Sequence, residues 1–352
     1  MTYIPKPKIH HPDLPKNALG LTNRDYEGVL STLCAGCGHD SVTAAIIQAC
    51  WELAISPHRV AKMSGIGCSS KTPAYFLSAS HGFNSVHGRM PSVATGAYCA
   101  ANDLTYLGVS GDGDTASIGL GQFAHAIRRQ VRMLYICENN GVYGLTKGQF
   151  SATADKTSKS KKGDIAAFDP IDPALFAIQM GATFVAKSFS GDKEQLVPLI
   201  KAGLNHHGFA LIDVVSPCVT FNNHDGSTKS YKYTREHEDA AIDLVDFILP
   251  RQEISIRYEE GETEDVTMHD GSVMKLRKID KSYNPYDRIA AAEYYQRRRE
   301  KGEVLTGLLY LDNEAADYHT RASTDPRPLR DIPFSELCPG AGALAKINDG
   351  AR

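Results

Sequence analysis

Nowhere in the sequence does an apolar run approach the roughly 20 residues that a membrane-spanning helix needs. The opening stretch, MTYIPKPKIHHPDLP, lacks the apolar core that marks a secretory signal. An excess of one charge is also missing: 38 Lys and Arg stand against 41 Asp and Glu, a net of −3 and a pI of about 6.5. That balance supplies no basic face for nucleic acid or for an anionic membrane. Internal repeats and low-complexity tracts are absent too. The expectation is a cytoplasmic protein with no membrane and no nucleic-acid partner, in a compartment where the eight cysteines stay out of disulfides. Its 352 residues suffice for one large α/β domain with an extension.

What is present is a strand-and-helix rhythm. Strand-like apolar runs fall at Val60 to Ser64, Leu104 to Ser110, Val131 to Cys137, Ala182 to Ala186 and Phe209 to Val215. Helix-periodic stretches include Val42, Ala45, Ile46, Ala49 and Leu53, and Ile118, Phe123, Ala126 and Ile127. Nearly continuous apolar strands separated by helices predict a parallel sheet covered on both faces, with ligands at the carboxyl ends of the strands. GIGC, GDGD, ENN and SPC each follow one of those strands. Beyond Phe221 the pattern changes: Glu253 to Tyr258 and Val273 to Ile279 read as hairpin strands around a turn that includes Asp270-Gly271, Asp287 to Glu300 as a short helix, and Pro326 to Arg352 as a tail rich in Pro and Gly. The division expected is an arm over 1–25, a binding domain over 26–225 and a C-terminal extension over 226–352.

Gly111-Asp112-Gly113 and Asn139-Asn140 carry the most chemistry. The glycines permit a tight turn against a phosphorylated ligand, and Gly111, Gly113 and Ala116 also fit the GxGxxA of a dinucleotide loop. Asp112 argues against that alternative, because its carboxylate would repel a pyrophosphate unless a cation lay between them. Mg²⁺ suits the position, since it takes hard oxygen ligands from a carboxylate and from the ligand's own phosphates. The asparagine pair offers amide oxygens for the same ion.

The cysteines divide by setting. Cys50, Cys99 and Cys137 lie in helix or strand patterns and read as small core residues, and Cys338 has no second ligand beside it. Cys34 and Cys37 in CAGCGHD, Cys68 in GIGCSS and Cys218 in SPCVTFNN lie in loops. Four loop thiols can hold either structural zinc or a [4Fe-4S] cluster. A CxxC pair alone favours zinc or a redox dithiol; the placement of Cys68 and Cys218 at the cofactor edge favours the cluster.

GDG with NN resembles the binding motif of thiamine-diphosphate enzymes. That resemblance implies that Asp112, Asn140 and the carbonyl of Val142 hold Mg²⁺, with Gly113, Asp114, Gly144 and Leu145 against the cofactor. With the cysteines included, CAGCGHD, GIGCSSK, HGR, GDGD, NNGVYGLTKGQ and SPC, in that order over about Asp25 to Asp225, resemble the beta subunit of 2-oxoacid:ferredoxin oxidoreductases of the 2-oxoglutarate type. Leu33 and Ala35 stand where many members have tryptophan and proline around the first cysteine. The resemblance implies a thiamine-diphosphate-binding α/β fold, a [4Fe-4S] cluster on Cys34, Cys37, Cys68 and Cys218, and a cofactor bordered by Ile66, Gly67, Cys68, Ser69, His87 and Gly88. It implies oxidation of 2-oxoglutarate with coenzyme A to succinyl-CoA, or the reverse carboxylation of a reductive TCA cycle, with ferredoxin as electron partner. Pyruvate or a branched-chain 2-oxoacid, and a cluster-free thiamine decarboxylase half, are the alternatives.

The chain holds one thiamine-binding half and no suitable activating glutamate, since Glu138 lies too near the metal loop and reads as a polar strand end. An alpha subunit carrying that glutamate is therefore expected, in an (alpha-beta)2 assembly. Lys71, and more weakly Lys147, are the candidates for the substrate carboxylate. His87 is placed to meet the diphosphate, with Arg89 beside it; His125 reads as a packing or capping residue, His81 as a further candidate acid or base, and His10-His11 and His206-His207 as solvated. Lys156 to Lys162 reads as a mobile basic loop, with docking of ferredoxin or coenzyme A phosphates as its alternative role. An NAD-dependent dehydrogenase leaves Asp112, the asparagines and the loop cysteines unexplained. A zinc-stabilised binding subunit is the non-enzyme alternative.

Overall fold

Branched and aromatic side chains alternate so closely along the central segments that both faces of each strand must be buried. The computed structural model, which describes residues 13–156, 165–220, 254–267, 273–338 and 340–351, buries them in a nine-stranded sheet. The strands are β1 (Val60–Ser64), β2 (His81–Asn84), β3 (Thr105–Gly111), β4 (Met133–Asn139), β7 (Phe184–Phe189), β8 (Phe209–Val215), β9 (Thr263–Thr267), β10 (Val273–Lys278) and β11 (Val304–Leu311). β5 (Val142–Tyr143) and β6 (Gln149–Phe150) form a separate hairpin. The sheet order is β2-β1-β3-β4-β8-β7-β11-β10-β9. The first six strands are mutually parallel, and β11 then runs antiparallel to β7. The chain leaves β1 toward β2 on one side and β3 toward β4 on the other, so the crevice beyond β1 and β3 is a topological switch point, where open α/β sheets bind ligands.

Helices cover both faces: α1 (Gly38–Glu52), α2 (Met90–Ala100), α3 (Leu120–Arg129), α4 (Pro173–Met180), α5 (Lys193–Asn205) and α6 (Arg288–Glu300), followed by the short α7 (Tyr318–Ala322), α8 (Phe334–Leu337) and α9 (Gly340–Gly350). On one face Ile46 of α1 and Ile200 of α5 meet Leu107, Leu134 and Ile212. On the other, Phe123, Ala177 and Tyr295 meet Tyr135, Val185 and Leu211. Truncating a ring such as Phe209, which is fully buried, costs about 3–5 kcal/mol.

Several expectations are corrected. The partner of β10 is Thr263–Thr267, whereas 254–258 has no strand: Ile254 and Ile256 alternate because they pack against Phe189, Val215 and Tyr258. The tail forms helices α8 and α9, with no residue buried in either. Cys99 is exposed, because α2 buries Met90, Pro91, Ala94 and Tyr98 and turns the next residue outward. Cys50 and Cys137 are buried. Strands β9 to β11 extend the main sheet, so residues beyond 254 and the central segment share one set of hydrogen bonds. Asp270-Gly271, His10-His11, Thr157 to Lys162 and the expected 225/226 boundary lie outside the described residues. Among the described residues no helix is long and apolar enough to cross a membrane.

Candidate functional site

Gly111 ends β3, and the chain winds directly into a π-helical turn over Gly113–Ile118, a local distortion that recurs at functional sites. Asp112, at the head of that turn, is 1% exposed. Its Oδ2 accepts hydrogen bonds from Ser151 Oγ and, at 2.6 Å, from Thr153 Oγ1; its Oδ1 accepts from the Asn140 backbone N at 3.3 Å. Asn140 Oδ1 in turn accepts from Val142 N at 3.1 Å. Among the described residues no Lys, Arg or His forms an ion pair with Asp112. A buried carboxylate held by hydroxyls and an amide, with no cation beside it, is electrostatically incomplete, and a divalent metal fits that lack.

Asp114, 3% exposed, does different work. Its Oδ1 lies against His87 Nδ1 and accepts from Gly88 N at 2.7 Å and Ile66 N at 3.3 Å, while Oδ2 accepts from Ser110 Oγ at 2.7 Å. One carboxylate thus fixes the loops after β1 and β2 to the turn after β3. Gly65 makes this contact possible, because a Cβ there would lie 1.9 Å from Asp114 Oδ2. Ser69 leans on Gly111, where an added Cβ would meet its Oγ at 2.7 Å. Tyr143 donates from its hydroxyl to Gly113 O at 3.0 Å and packs edge-on to His87 with ring centroids 5.9 Å apart. Ile66 and Leu145 are exposed at the rim, 37% and 49% respectively. Arg89 is exposed as well.

The four loop cysteines gather beside this crevice. Gly36 takes a left-handed φ of +79°, which closes the Cys34-to-Cys37 turn through a Cys37 N to Cys34 O bond of 3.0 Å. Cys37 caps α1. Thr220 Oγ1 lies 3.5 Å from Cys34 Sγ. A Cβ on Gly144 would stand 3.4 Å from Cys68 Sγ and 3.9 Å from Cys218 Sγ, so this backbone position lies against both thiols. Burial pushes the Cys37 thiol well up, partly offset by a hydrogen bond from the backbone of His39. At Cys68 burial again raises the pKa and the Lys71 ammonium opposes it. Among the described residues no three His, Cys, Asp or Glu side chains are arranged to hold one metal ion. Four half-buried or buried thiols on neighbouring loops are a donor set whose chemistry suits a multi-iron group.

Beneath the thiols lies a polar cluster that sequence reasoning missed. Glu138, expected as a plain strand end, is fully buried: Thr72 Oγ1 donates to its Oε2 at 3.1 Å, and His39 Nδ1 stands 3.5 Å from the same oxygen and 2.6 Å from Ser216 Oγ. Burial drives the Glu138 carboxyl well above its ordinary range and the His39 imidazole down to about 4. His39 Nε2 has no hydrogen-bond partner among the described residues. Ser151, Thr153 and Tyr143 also went unread, because a serine or threonine after a hairpin has no signal that separates a buried donor from a solvated one.

Lys71 is half-buried in the 3₁₀ turn Ser69–Ala74, and Lys147 is exposed at the β5–β6 hairpin tip with φ +76°. His81 is exposed on the edge strand β2. Two histidines are corrected. His125 is exposed on α3 and neither packs nor caps, while His206 is half-buried, bonded to Thr183 Oγ1 at 2.8 Å, and pushed down to about 4 by burial. Lys156, at the edge of the basic stretch, pairs with Asp169 at 3.0 Å.

Residues 65–214 match the family described as thiamine pyrophosphate enzyme, C-terminal TPP binding domain. The chain is 38% identical over 266 residues to a 2-oxoacid:ferredoxin oxidoreductase subunit beta from Sulfolobus, covering 75% of this chain and 81% of that one. It is 37% identical over 224 residues to the 2-oxoglutarate oxidoreductase subunit KorB of Mycobacterium tuberculosis, covering 61% and 59% respectively. Among solved structures it resembles a 2-oxoglutarate:ferredoxin oxidoreductase from Magnetococcus marinus with 2-oxoglutarate, coenzyme A and succinyl-CoA bound, at a TM-score of 0.69 and 30% identity over 88% of this chain and 91% of that one.

Proposed function

The chain belongs to the 2-oxoacid:ferredoxin oxidoreductase beta-subunit family, and from that premise we propose that it converts 2-oxoglutarate and coenzyme A to succinyl-CoA and CO₂, or runs the reverse carboxylation, together with an alpha subunit. The observation that carries this reading is the meeting, at one switch point, of the Asp112–Asn140 contact with the loops that bear the cysteines, two of which, Cys68 and Cys218, face Gly144. When bound, thiamine diphosphate supplies the nucleophilic carbon and electron sink for decarboxylation, and a [4Fe-4S] cluster accepts electrons singly for ferredoxin.

The chain's own residues bind and orient. Asp112, Asn140 and the Val142 carbonyl hold Mg²⁺, which neutralises the diphosphate. Ile66, Gly67, Cys68, Ser69, His87, Gly88, Gly113, Asp114, Gly144 and Leu145 border the cofactor, Asp114 by fixing the loops that do so. Cys34, Cys37, Cys68 and Cys218 hold the cluster. Lys71 meets a substrate carboxylate, and Lys147, on the exposed hairpin, assists at the rim. The carboxylate that activates the cofactor comes from the alpha subunit. In support, Phe83, Val86 and Ile118 are 55%, 71% and 42% exposed beside His87 and Gly88, an apolar rim suited to cover by a second chain.

The test is anaerobic co-purification with the alpha subunit, followed by a viologen-reduction assay that requires coenzyme A. The expected result is turnover with 2-oxoglutarate, about four irons per beta chain with broad absorption near ~400 nm, and no turnover by the beta chain alone. Preferred turnover of pyruvate or a branched-chain 2-oxoacid reassigns the substrate. A colourless, zinc-loaded assembly removes the cluster. Lys71→Met should raise KM for 2-oxoglutarate about tenfold or more and spare pyruvate; an equal effect on both counts against its role.

A further inference from the structure

Behind the metal loop a continuous run of buried polar side chains crosses three strands. Lys187 on β7 and Asp213 on β8 are register partners, 6% and 0% exposed, with Lys187 Nζ 2.6 Å from Asp213 Oδ2. The other oxygen of Asp213 accepts from Asn139 Nδ2 at 3.1 Å. Asn139 Oδ1 lies 3.1 Å from Thr153 Oγ1, the same hydroxyl that stands 2.6 Å from Asp112 Oδ2. In the opposite direction Lys187 Nζ is 3.8 Å from Asp172 Oδ2, which accepts from the Tyr295 hydroxyl at 2.6 Å and sits 3.6 Å from Arg299 Nε. Tyr295 and Arg299 belong to α6, far along the chain from Asp112.

Stability alone does not account for this run. Taking an ammonium and two carboxylates out of water is costly, and well-packed apolar residues of similar volume often serve a fold equally well or better. Burial works against the charge on Lys187, and Asp172 and Asp213 outweigh it, holding the ammonium well above its ordinary range. Its geometric product is a set of fixed rotamers. Lys187 fixes the Asp213 carboxylate and Asp213 fixes which way the Asn139 amide faces, so that Asn139 Oδ1 and Asp112 Oδ2 share the single hydrogen of the Thr153 hydroxyl and hold it against Asp112. A carboxylate that must meet an octahedral Mg²⁺ tolerates little rotation, and outer contacts of this kind tune metal affinity.

We propose that Lys187, Asp213, Asn139 and Thr153 are positioning residues for Asp112, orienting its carboxylate from behind the metal loop, and that Asp172 ties this setting to helix α6. The inference rests on the reading of Asp112 as a Mg²⁺ ligand. A cavity of about 110 Å³ lined in part by Asn139, Thr153, Lys187 and Tyr295 follows the run and leaves room for apolar replacements.

The experiment measures the Mg²⁺ dissociation constant of the purified assembly at saturating thiamine diphosphate by calorimetry, with the melting temperature of the metal-free assembly alongside. Thr153→Val and the double variant Lys187→Met/Asp213→Leu should each weaken Mg²⁺ about 10- to 100-fold, whereas Thr153→Ser retains the hydroxyl and should bind as the unaltered protein does. A residue that only packs would lower the melting temperature and leave the Mg²⁺ constant unmoved. Should the double variant fail to fold, Thr153→Val against Thr153→Ser decides alone. Unchanged Mg²⁺ affinity in Thr153→Val, with a large loss in Asp112→Asn, overturns the positioning role and leaves the metal site standing. No loss in Asp112→Asn overturns the metal reading and this inference with it.

Discussion

Two aspartates two residues apart divide the labour of the site: Asp112 is held from behind by hydroxyls, and Asp114 holds the surrounding loops. Replacing Asp114 by alanine strands the Gly88 and Ile66 N–H groups and the Ser110 hydroxyl. We expect a loss of about 2–4 kcal/mol in urea unfolding, the cost of buried donors left without a charged acceptor, with Asp114→Asn falling between; an alanine variant as stable as the parent would remove the loop-fastening role. Burial accounts for the pH response of His206, which is pushed down to about 4 in the fold against an ordinary value of 6.5. Between those values the unfolded chain binds more protons than the folded one, so stability falls as pH drops from about 6.5 toward 4. His206→Gln should reduce that pH-dependent loss by about 1–2 kcal/mol, less than the full shift because solvent screens a half-buried ring, leaving the share owed to His39; an unaltered slope would show that His206 does not contribute. Thiol labelling of the native protein should modify Cys99 and Cys338 and spare Cys50 and Cys137.

At the scale of elements, the loops are what the glycines decide. Gly65→Ala places a Cβ 1.9 Å from Asp114 Oδ2, so either the loop after β1 or the Asp114 carboxylate that fastens it must move, and cofactor binding should fall at least tenfold in a titration with thiamine diphosphate and Mg²⁺. Gly96→Ala in α2 and Gly121→Ala in α3 meet nothing within 4 Å, and each should instead stabilise by about 0.5–1 kcal/mol. Binding by Gly65→Ala equal to that of the parent would refute the close-approach argument. The five central strands were legible because their residues are apolar on both faces, and two of them, Val60–Ser64 and Phe209–Val215, have the boundaries the sequence suggests. Edge strand β2 was not, since all four residues of His81–Asn84 are exposed and leave no apolar period. β9, with Val266 its one buried residue, was missed for the same reason, and the more apolar Ile254 to Tyr258 drew the assignment. Motifs at the switch point were readable because glycine, cysteine and paired asparagine are rare in combination. The serines, threonines and the Lys187–Asp213 pair that support them look like ordinary strand and turn residues until the sheet brings them together.

Across the whole molecule the sheet, rather than the motif-bearing segment, sets what can be removed. β11 is hydrogen-bonded to β7, all six residues of β7 are buried, and β10 and β9 follow outward. Deleting residues 254–352 would strip β11 from β7 and expose a long apolar edge containing Phe184, Val185 and Phe189, an arrangement that invites edge-to-edge association. Deleting 333–352 removes α8 and α9, which bury no residue, and leaves the Arg330–Asp103 contact intact. The shorter deletion should therefore melt within about 2 °C of the full chain, because exposed segments and surface pairs contribute little, while the longer one should aggregate on expression or elute as large oligomers. Light scattering and a thermal melt on both truncations separate the alternatives. A soluble, monodisperse 1–253 fragment would mean that the central segment is a self-sufficient domain and that strands β9 to β11 are an appendage. Aggregation of that fragment beside a well-behaved 1–332 would place the true boundary of the folding unit beyond β11, with the catalytic motifs and the added strands inseparable parts of one sheet.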